Sequence, residues 1–169
     1  MENNPFEHIF YEFDMYLNTI NTLEMNSLHR DDGNNKFCIN LLLESQMLHL
    51  RNISEFFASS NKASKKRKDL YVSDYLINSH GFFIDDKLFK NIKRYTSSSA
   101  CHLSRDRKRL DQKEKTCEME QKALPVIMSL IEKFINVTVD QIKPDYKELW
   151  EDSFIQDYLQ YIKKLLKSC

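Results

Sequence analysis

Residues that commonly turn a protein chain are scarce in this sequence. Its 169 residues include two glycines and three prolines, namely Gly33, Gly81, Pro5, Pro125 and Pro144. Tight turns between β-strands depend on these residue types, so a hairpin-rich β fold is disfavoured and long helices joined by polar loops are favoured. A chain of this length fits a single domain, residues 1–169, which needs no disulfide or metal to fold because it can bury about 70% of its unfolded surface.

Apolar residues recur at steps of three and four along most of the chain, which predicts amphipathic helices. The first helix begins with Asn4 as its cap and Pro5 as its first helical residue, where the missing N–H of proline costs nothing. Pro125 is expected either to kink the fourth helix or to mark its start. We therefore expect an all-α, mostly antiparallel bundle of about five helices, at residues 5–26, 35–58, 85–103, 116–136 and 144–167.

Two further expectations concern residues 71–76 and the buried face of the fifth helix. Residues 71–76 form either a short extended hook or one turn of helix, and the sequence favours neither. The fifth helix is expected to bury one stripe of its side chains, namely Leu149, Trp150, Phe154, Tyr158, Tyr161, Ile162 and Leu165.

Charge is balanced overall but not along the chain. The 25 basic and 25 acidic residues give a net charge of zero, which argues against a general nucleic-acid coat protein. Basic residues concentrate in a connector at about 59–69, and a second charged connector spans about 105–115. The basic run could contact nucleic acid, or it could be a solvated loop, and its central residues are Lys65, Lys66, Arg67 and Lys68.

The sequence lacks the patterns that indicate paired cysteines, a membrane span, a metal site or a phosphate-binding loop. The four cysteines, Cys38, Cys101, Cys117 and Cys169, form no Cys-x-x-Cys pair and are expected to be free thiols in the cytoplasm. No apolar run is long enough to span a membrane. Paired metal-ligand spacings and glycine-rich phosphate loops are absent as well, so we expect no metal and no cofactor.

The segment His49-Leu50-Arg51-Asn52-Ile53-Ser54-Glu55-Phe56-Phe57 places polar residues on the most apolar helix. His49 and Asn52 should point inward or into a cleft, with Arg51 toward an edge. A buried polar group without a partner costs about 1–3 kcal/mol, so each needs one. That partner could be a ligand held by His49, Arg51 and Asn52, or it could be the chain itself, with Arg51 paired to Glu44, Glu55 or Asp74.

The segment Ala100-Cys101-His102-Leu103-Ser104-Arg105-Asp106-Arg107 is the second candidate. His102 can exchange protons near neutral pH, while Arg105 and Arg107 can hold a phosphate. On this reading His102 and Arg105 are candidate catalytic residues and Arg107 a ligand-binding one. The alternative is that His102 is a buried, hydrogen-bonded histidine that joins the third helix to the second.

Together, "HLRNISEFF", "YVSDYL" and "ACHLSRDR" resemble a group of bacterial helical proteins that carry a His-x-Arg-Asn-x-x-x-Phe-Phe segment followed by an Ala-His-Leu-Ser/Thr-x-x-Arg segment. The resemblance covers about residues 35–135. The architecture of that group is in turn similar to the HEPN superfamily. This resemblance implies a small helical bundle that forms a homodimer. It also implies a setting in bacterial toxin–antitoxin or phage-defence systems, where many HEPN members are ribonucleases.

HEPN nucleases place an arginine four to six residues before a histidine, and this chain departs from that pattern. Seven residues separate Arg94 from His102, and Arg105 follows the histidine instead. The leading hypothesis is a HEPN-like protein whose His/Arg cleft contacts RNA or a phosphate-bearing ligand. If it is an enzyme, the expected activity is metal-independent RNA cleavage. The alternative is a non-catalytic interaction module or adaptor, in which the same residues are structural and the partner is a cognate protein.

Overall fold

The computed structural model describes residues 4–27, 33–59, 70–96 and 112–168 of the chain. Within these ranges the regular structure is helical and no strand forms. The α-helices are α1 (Pro5–Ser27), α2 (Gly33–Phe56), α3 (Val72–Tyr75), α4 (Asp86–Tyr95), α5 (Gln112–Ile135), α6 (Lys147–Trp150) and α7 (Ser153–Leu166). Two short 3₁₀ turns, Val139–Gln141 and Pro144–Tyr146, lie between α5 and α6. The predicted all-α fold is confirmed.

The start of α1 is fixed by Asn4, as predicted. Its side-chain oxygen accepts a hydrogen bond from the backbone N–H of Phe6 at 3.1 Å, which satisfies one of the free amides of the first helical turn. The amide nitrogen of the same side chain donates to the carbonyl of Leu149 at 3.0 Å. Asn4 therefore caps α1 and also joins it to the C-terminal part of the chain.

Helix α1 packs along both α2 and α7. Along the α1–α7 contact, Tyr158 donates to Asp14 at 3.1 Å, Asn18 donates to Tyr161 at 3.4 Å and Asn21 donates to Ser168 at 3.3 Å. Residue numbers rise together on the two helices, so α1 and α7 run in the same direction. This relation is expected between the first and fifth long helices of an up-and-down bundle.

Aromatic rings fill the centre of the bundle. Phe134 of α5 is fully buried, and its ring contacts rings from three other helices at centroid distances of 5.2 to 6.5 Å. Those rings belong to Phe10, Phe13, Phe56, Phe57 and Trp150, where Phe57 directly follows α2. Offset and edge-to-face pairs of this kind add about 0.5–1.5 kcal/mol each beyond their buried area.

The hook at residues 71–76 combines both forms that the sequence left open. Val72–Tyr75 make one helical turn, and the next residue, Leu76, pairs with Ile142 in an isolated antiparallel bridge. The bridge region is held by hydrogen bonds from Ile77 N to the Gln141 carbonyl at 2.9 Å and from Lys143 N to the Tyr75 carbonyl at 2.8 Å. The hook thus attaches to the segment that leads from α5 to α6.

The predicted single helix at residues 144–167 is wrong. Asp152 caps a new helix by accepting from the amides of Phe154 and Ile155, which separates α6 from α7. The break changes which face of α7 is buried: Ile155, Leu159 and Ile162 point into the core. Three of the side chains predicted to be buried are instead exposed, namely Leu149, Phe154 and Tyr161.

The third and fourth predicted helices differ from expectation mainly at their ends. Helix α4 begins after its cap Asp85, close to the predicted start at about residue 85, and the predicted extension through residues 97–103 lies outside the described residues. Helix α5 starts at Gln112, within the predicted charged connector, and continues through Pro125. Pro125 therefore does not mark the start of that helix.

Candidate functional site

His49 lies on the face of α2 that packs against α1, and its partner comes from α1. Only 5% of the residue is exposed, and its ring nitrogen Nδ1 lies 2.7 Å from Oε2 of Glu12. The ring of Tyr11 meets the imidazole edge-on at 5.9 Å. The expected inward orientation of His49 is confirmed, and the polar group that satisfies it is a carboxylate of the same chain.

Arg51 lies at the edge of α2, as expected. Of the alternatives for its pairing, the structure gives Glu55, one helical turn further on, with Arg51 Nε 3.3 Å from Glu55 Oε1. Lys93 of α4 approaches the same oxygen at 3.9 Å. Asp74 instead accepts from the backbone amide of Tyr71 at 3.1 Å. About a quarter of each side chain in the Arg51–Glu55 pair is exposed, so the pair contributes at most about 1 kcal/mol to stability.

A cleft of about 260 Å³ opens between α1 and α2, and Asn52 lies on its wall. The cleft combines apolar side chains with a few polar ones, as binding sites commonly do. It is lined by His8, Ile9, Glu12, Phe13, Asn52, Ile53, Glu55, Phe56 and Leu70. The expectation that Asn52 faces inward or into a cleft is confirmed, while His49 and Arg51 are not part of the lining and contact its carboxylates Glu12 and Glu55.

Glu12 and Glu55 give this cleft its charge. No lysine or arginine belongs to its lining among the described residues, and His8 is the imidazole on its wall. One oxygen of Glu12 is contacted by His49, which is a cation when protonated, and one oxygen of Glu55 is contacted by Arg51. Neither His49 nor Arg51 belongs to the lining of the cleft. The side chains of Glu12 and Glu55 are 25% and 22% exposed, so both are partly withdrawn from water.

Sequence reasoning missed Glu12, although a signal was present. Glu12 lies three residues after Ile9 and four before Tyr16, and both of these residues are buried. Helical positions separated by three or four residues share a face, so this carboxylate borders the buried stripe of α1. A carboxylate at such a position needs a partner as much as His49 does.

A second polar group, between α1 and α7, was also not anticipated. The Asp14 carboxylate accepts from Tyr158 OH and from the side-chain amide of Asn18. Burial raises the pKa of Tyr158 above its ordinary value, and the neighbouring Asp14 raises it further. This group holds two helices together and lines no cleft among those described.

The remaining predicted site residues lie outside the described ranges. This applies to His102, Arg105 and Arg107, and to the basic residues Lys65, Lys66, Arg67 and Lys68. In the described part of the chain no three or more His, Cys, Asp or Glu side chains gather as a metal site would require. Cys38 has a free, exposed thiol, and the side chains of Cys101, Cys117 and Cys169 are outside the described part.

The helices in the described ranges include none that is both long and apolar enough to cross a bilayer. Comparison of the chain with protein-family models, with curated proteins and with solved structures found no match.

Proposed function

We propose that this protein is a non-catalytic interaction module whose α1–α2 cleft receives one side chain of a partner protein. The observation that carries the proposal is the pairing of the His49 segment within the chain. His49 is held by Glu12 of α1 and Arg51 by Glu55 of its own helix, so both polar side chains have partners within the chain. On this view they are structural, and the cleft beside them is the surface that remains available for recognition.

The charge of the cleft supports this reading over a phosphate site. A phosphate entering the cleft would meet the carboxylates of Glu12 and Glu55, which repel it. Arg51 contacts Glu55 through Nε, so a phosphate that bound its remaining N–H donors would lie beside that carboxylate. Phosphate recognition depends on cations that can form paired hydrogen bonds, and the described lining of the cleft contains no lysine or arginine.

The size of the cleft supports a protein partner. Its volume of about 260 Å³ lies just below the range of about 300–1,000 Å³ typical of small-molecule sites. A space of this size suits one anchoring side chain. Protein interfaces commonly concentrate their binding energy in such buried anchors.

RNA contact is the second candidate, in the form of a HEPN-like homodimer of a toxin–antitoxin or phage-defence system. The observation that favours it is Leu70, a wall residue of the cleft that follows Lys68 by two positions in the sequence. In this candidate Lys65–Lys68 contact the RNA backbone, and His102 with Arg105 carries any cleavage. Such a protein would be active in the cytoplasm of a bacterium.

Peptide-display selection tests the module directly. A random peptide library is selected on the wild-type protein and counter-selected on Asn52→Trp, which places an indole in the cleft. Asn91→Trp, at an exposed position of α4, is the matched control. We expect peptides that bind the wild type and the control and lose binding to Asn52→Trp. Peptides that bind all three proteins equally would overturn the proposal.

RNA assays separate the two candidates. The interaction module predicts no cleavage of a labelled single-stranded RNA, and a lower melting temperature for His49→Ala. Cleavage by the wild type that is lost in His102→Ala without a change in melting temperature would favour the HEPN-like ribonuclease. Binding that is lost when Lys65, Lys66, Arg67 and Lys68 are neutralised would favour non-catalytic RNA contact.

A further inference from the structure

We propose that the side chain received by the α1–α2 cleft is an arginine of the partner protein. This inference rests on the function proposed above and names the chemistry of its partner. The lining of the cleft includes two carboxylates and several apolar side chains, and the arginine side chain has the matching parts. Its charged end is a planar fork of N–H donors, and its stem is apolar.

The carboxylates have capacity for a further donor. His49 contacts Oε2 of Glu12, and both Arg51 and Lys93 contact Oε1 of Glu55. Among the residues that the structure describes, none makes a hydrogen bond or ion pair with Glu12 Oε1 or Glu55 Oε2. An incoming guanidinium can therefore bind either carboxylate without displacing His49 or Arg51.

Partial burial strengthens such a contact. About three quarters of each carboxylate side chain is removed from water, and charge-assisted hydrogen bonds gain strength where water is excluded. An exposed acidic surface would be screened by salt to a larger extent. The contact should consequently persist at physiological ionic strength.

The rest of the lining favours arginine over a compact ammonium group. Ile9, Phe13, Ile53 and Phe56 provide aliphatic and aromatic surface for the stem of the side chain. A guanidinium is less strongly hydrated than an ammonium and can lie flat on apolar or aromatic surface. The side-chain amide oxygen of Asn52 can accept a hydrogen bond from one more N–H of the guanidinium. No described residue makes a hydrogen bond with that side chain.

The test uses small probes in place of the unidentified partner. Nα-acetyl-L-arginine methylamide is titrated into the ¹⁵N-labelled full-length protein and followed by NMR, alongside the corresponding citrulline and norleucine amides. Citrulline keeps the shape of arginine and removes its charge. We expect the arginine probe to shift the amide signals of Glu12, Asn52 and Glu55, and to bind about tenfold more tightly than citrulline.

Variants that neutralise one carboxylate at a time test whether binding of the arginine probe depends on the charge of that carboxylate. Glu55→Gln should weaken binding of the arginine probe by about tenfold, and Glu12→Gln by a similar factor. Glu7→Gln, an exposed residue of α1 outside the cleft lining, is the control and should bind as the wild type does. Because Glu12 also holds His49, the conclusion rests on Glu55→Gln if Glu12→Gln loses its native spectrum.

The outcomes separate this inference from the proposed function. Equal binding of the arginine, citrulline and norleucine probes at the cleft would overturn the arginine inference and leave the cleft as a docking site. Absence of shifts with all three probes would also overturn the inference. Peptide display that yields no cleft-dependent binder would overturn the proposed function itself.

Discussion

His49 Nδ1 lies 2.7 Å from Glu12 Oε2, so a buried histidine of α2 is satisfied by a carboxylate of α1. The pair spans 37 residues of sequence and connects the two helices that pack most extensively against each other. Because Glu12 lines the cleft, the pair also holds one residue of the cleft wall in place. The first prediction concerns the stability that this support provides.

Glu12→Ala should reduce the free energy of unfolding by about 1–3 kcal/mol, because it leaves a buried imidazole without its partner. For a chain of this size, each kcal/mol lowers the melting temperature by about 2–4 °C. Glu132→Ala, at an exposed position of α5, should change stability by no more than about 0.5 kcal/mol. Urea unfolding of both variants measures the difference, and equal stabilities would show that the pair contributes nothing.

A double-mutant cycle isolates the interaction itself. Combining Glu12→Ala with His49→Ala should cost less than the sum of the two single changes, with a coupling of about 0.5–3 kcal/mol. Strict additivity would mean that the contact is energetically neutral even though each residue matters separately.

The aromatic centre of the bundle gives the second prediction. Phe134→Ala removes a fully buried ring that contacts five others and should cost about 3–5 kcal/mol, enough to unfold a marginally stable domain. Phe154→Ala removes the same side chain from a position that is 58% exposed and should cost much less. Circular dichroism during thermal unfolding compares the two. Similar losses would contradict the assignment of Phe134 to the core.

Much of this fold follows from local sequence signals. Apolar periodicity identifies helices because burial selects one face of each, and the Asn4-Pro5 pair defines where the first one begins. The break between α6 and α7 was missed because the apolar pattern continues across it. The signal was Asp152, a residue type that commonly caps helices and does so here.

The candidate site could be predicted only in part. A histidine on the apolar face of α2 implies some partner, and that much follows from residue 49 alone. The identity of the partner depends on the relative rotation of α1 and α2, which is set by tertiary packing and not by the sequence around either residue. The cleft itself has no local sequence signal, because His8, Asn52 and Leu70 come from three separate segments.

Asn4 provides the third prediction, because its side chain has two separable roles. Asn4→Ala loses both the cap of α1 and the bond to Leu149, and should cost about 1–2 kcal/mol or more. Asn4→Ser keeps a capping oxygen but is too short to reach Leu149, so it should lose only about 0.5–1.5 kcal/mol. Chemical denaturation of both variants tests this order. If Asn4→Ser is as damaging as Asn4→Ala, the contact with Leu149 is the dominant contribution.

The raised pKa values of two tyrosines predict that the stability of the protein falls in alkaline solution. Burial raises the pKa of Tyr75 above its ordinary value, with added repulsion from Tyr146 and Asp74, and burial together with Asp14 does the same for Tyr158. The folded chain therefore keeps both phenols protonated after the unfolded chain has begun to lose its protons near pH 10. Their contribution to stability is fully present below that pH and is lost as pH rises beyond it.

Urea unfolding between about pH 8 and 11 should accordingly show stability falling with pH, on a range that begins at the ordinary tyrosine pKa of about 10. Lysines titrate in the same range, so the comparison is made between variants. Tyr75→Phe and Tyr158→Phe should each reduce the steepness of the fall, since phenylalanine has no proton to lose. Leu41→Ala, at an exposed position of α2, removes no titrating group and should leave the steepness unchanged. If all three variants follow the wild-type curve, the buried phenols do not contribute to the alkaline loss of stability.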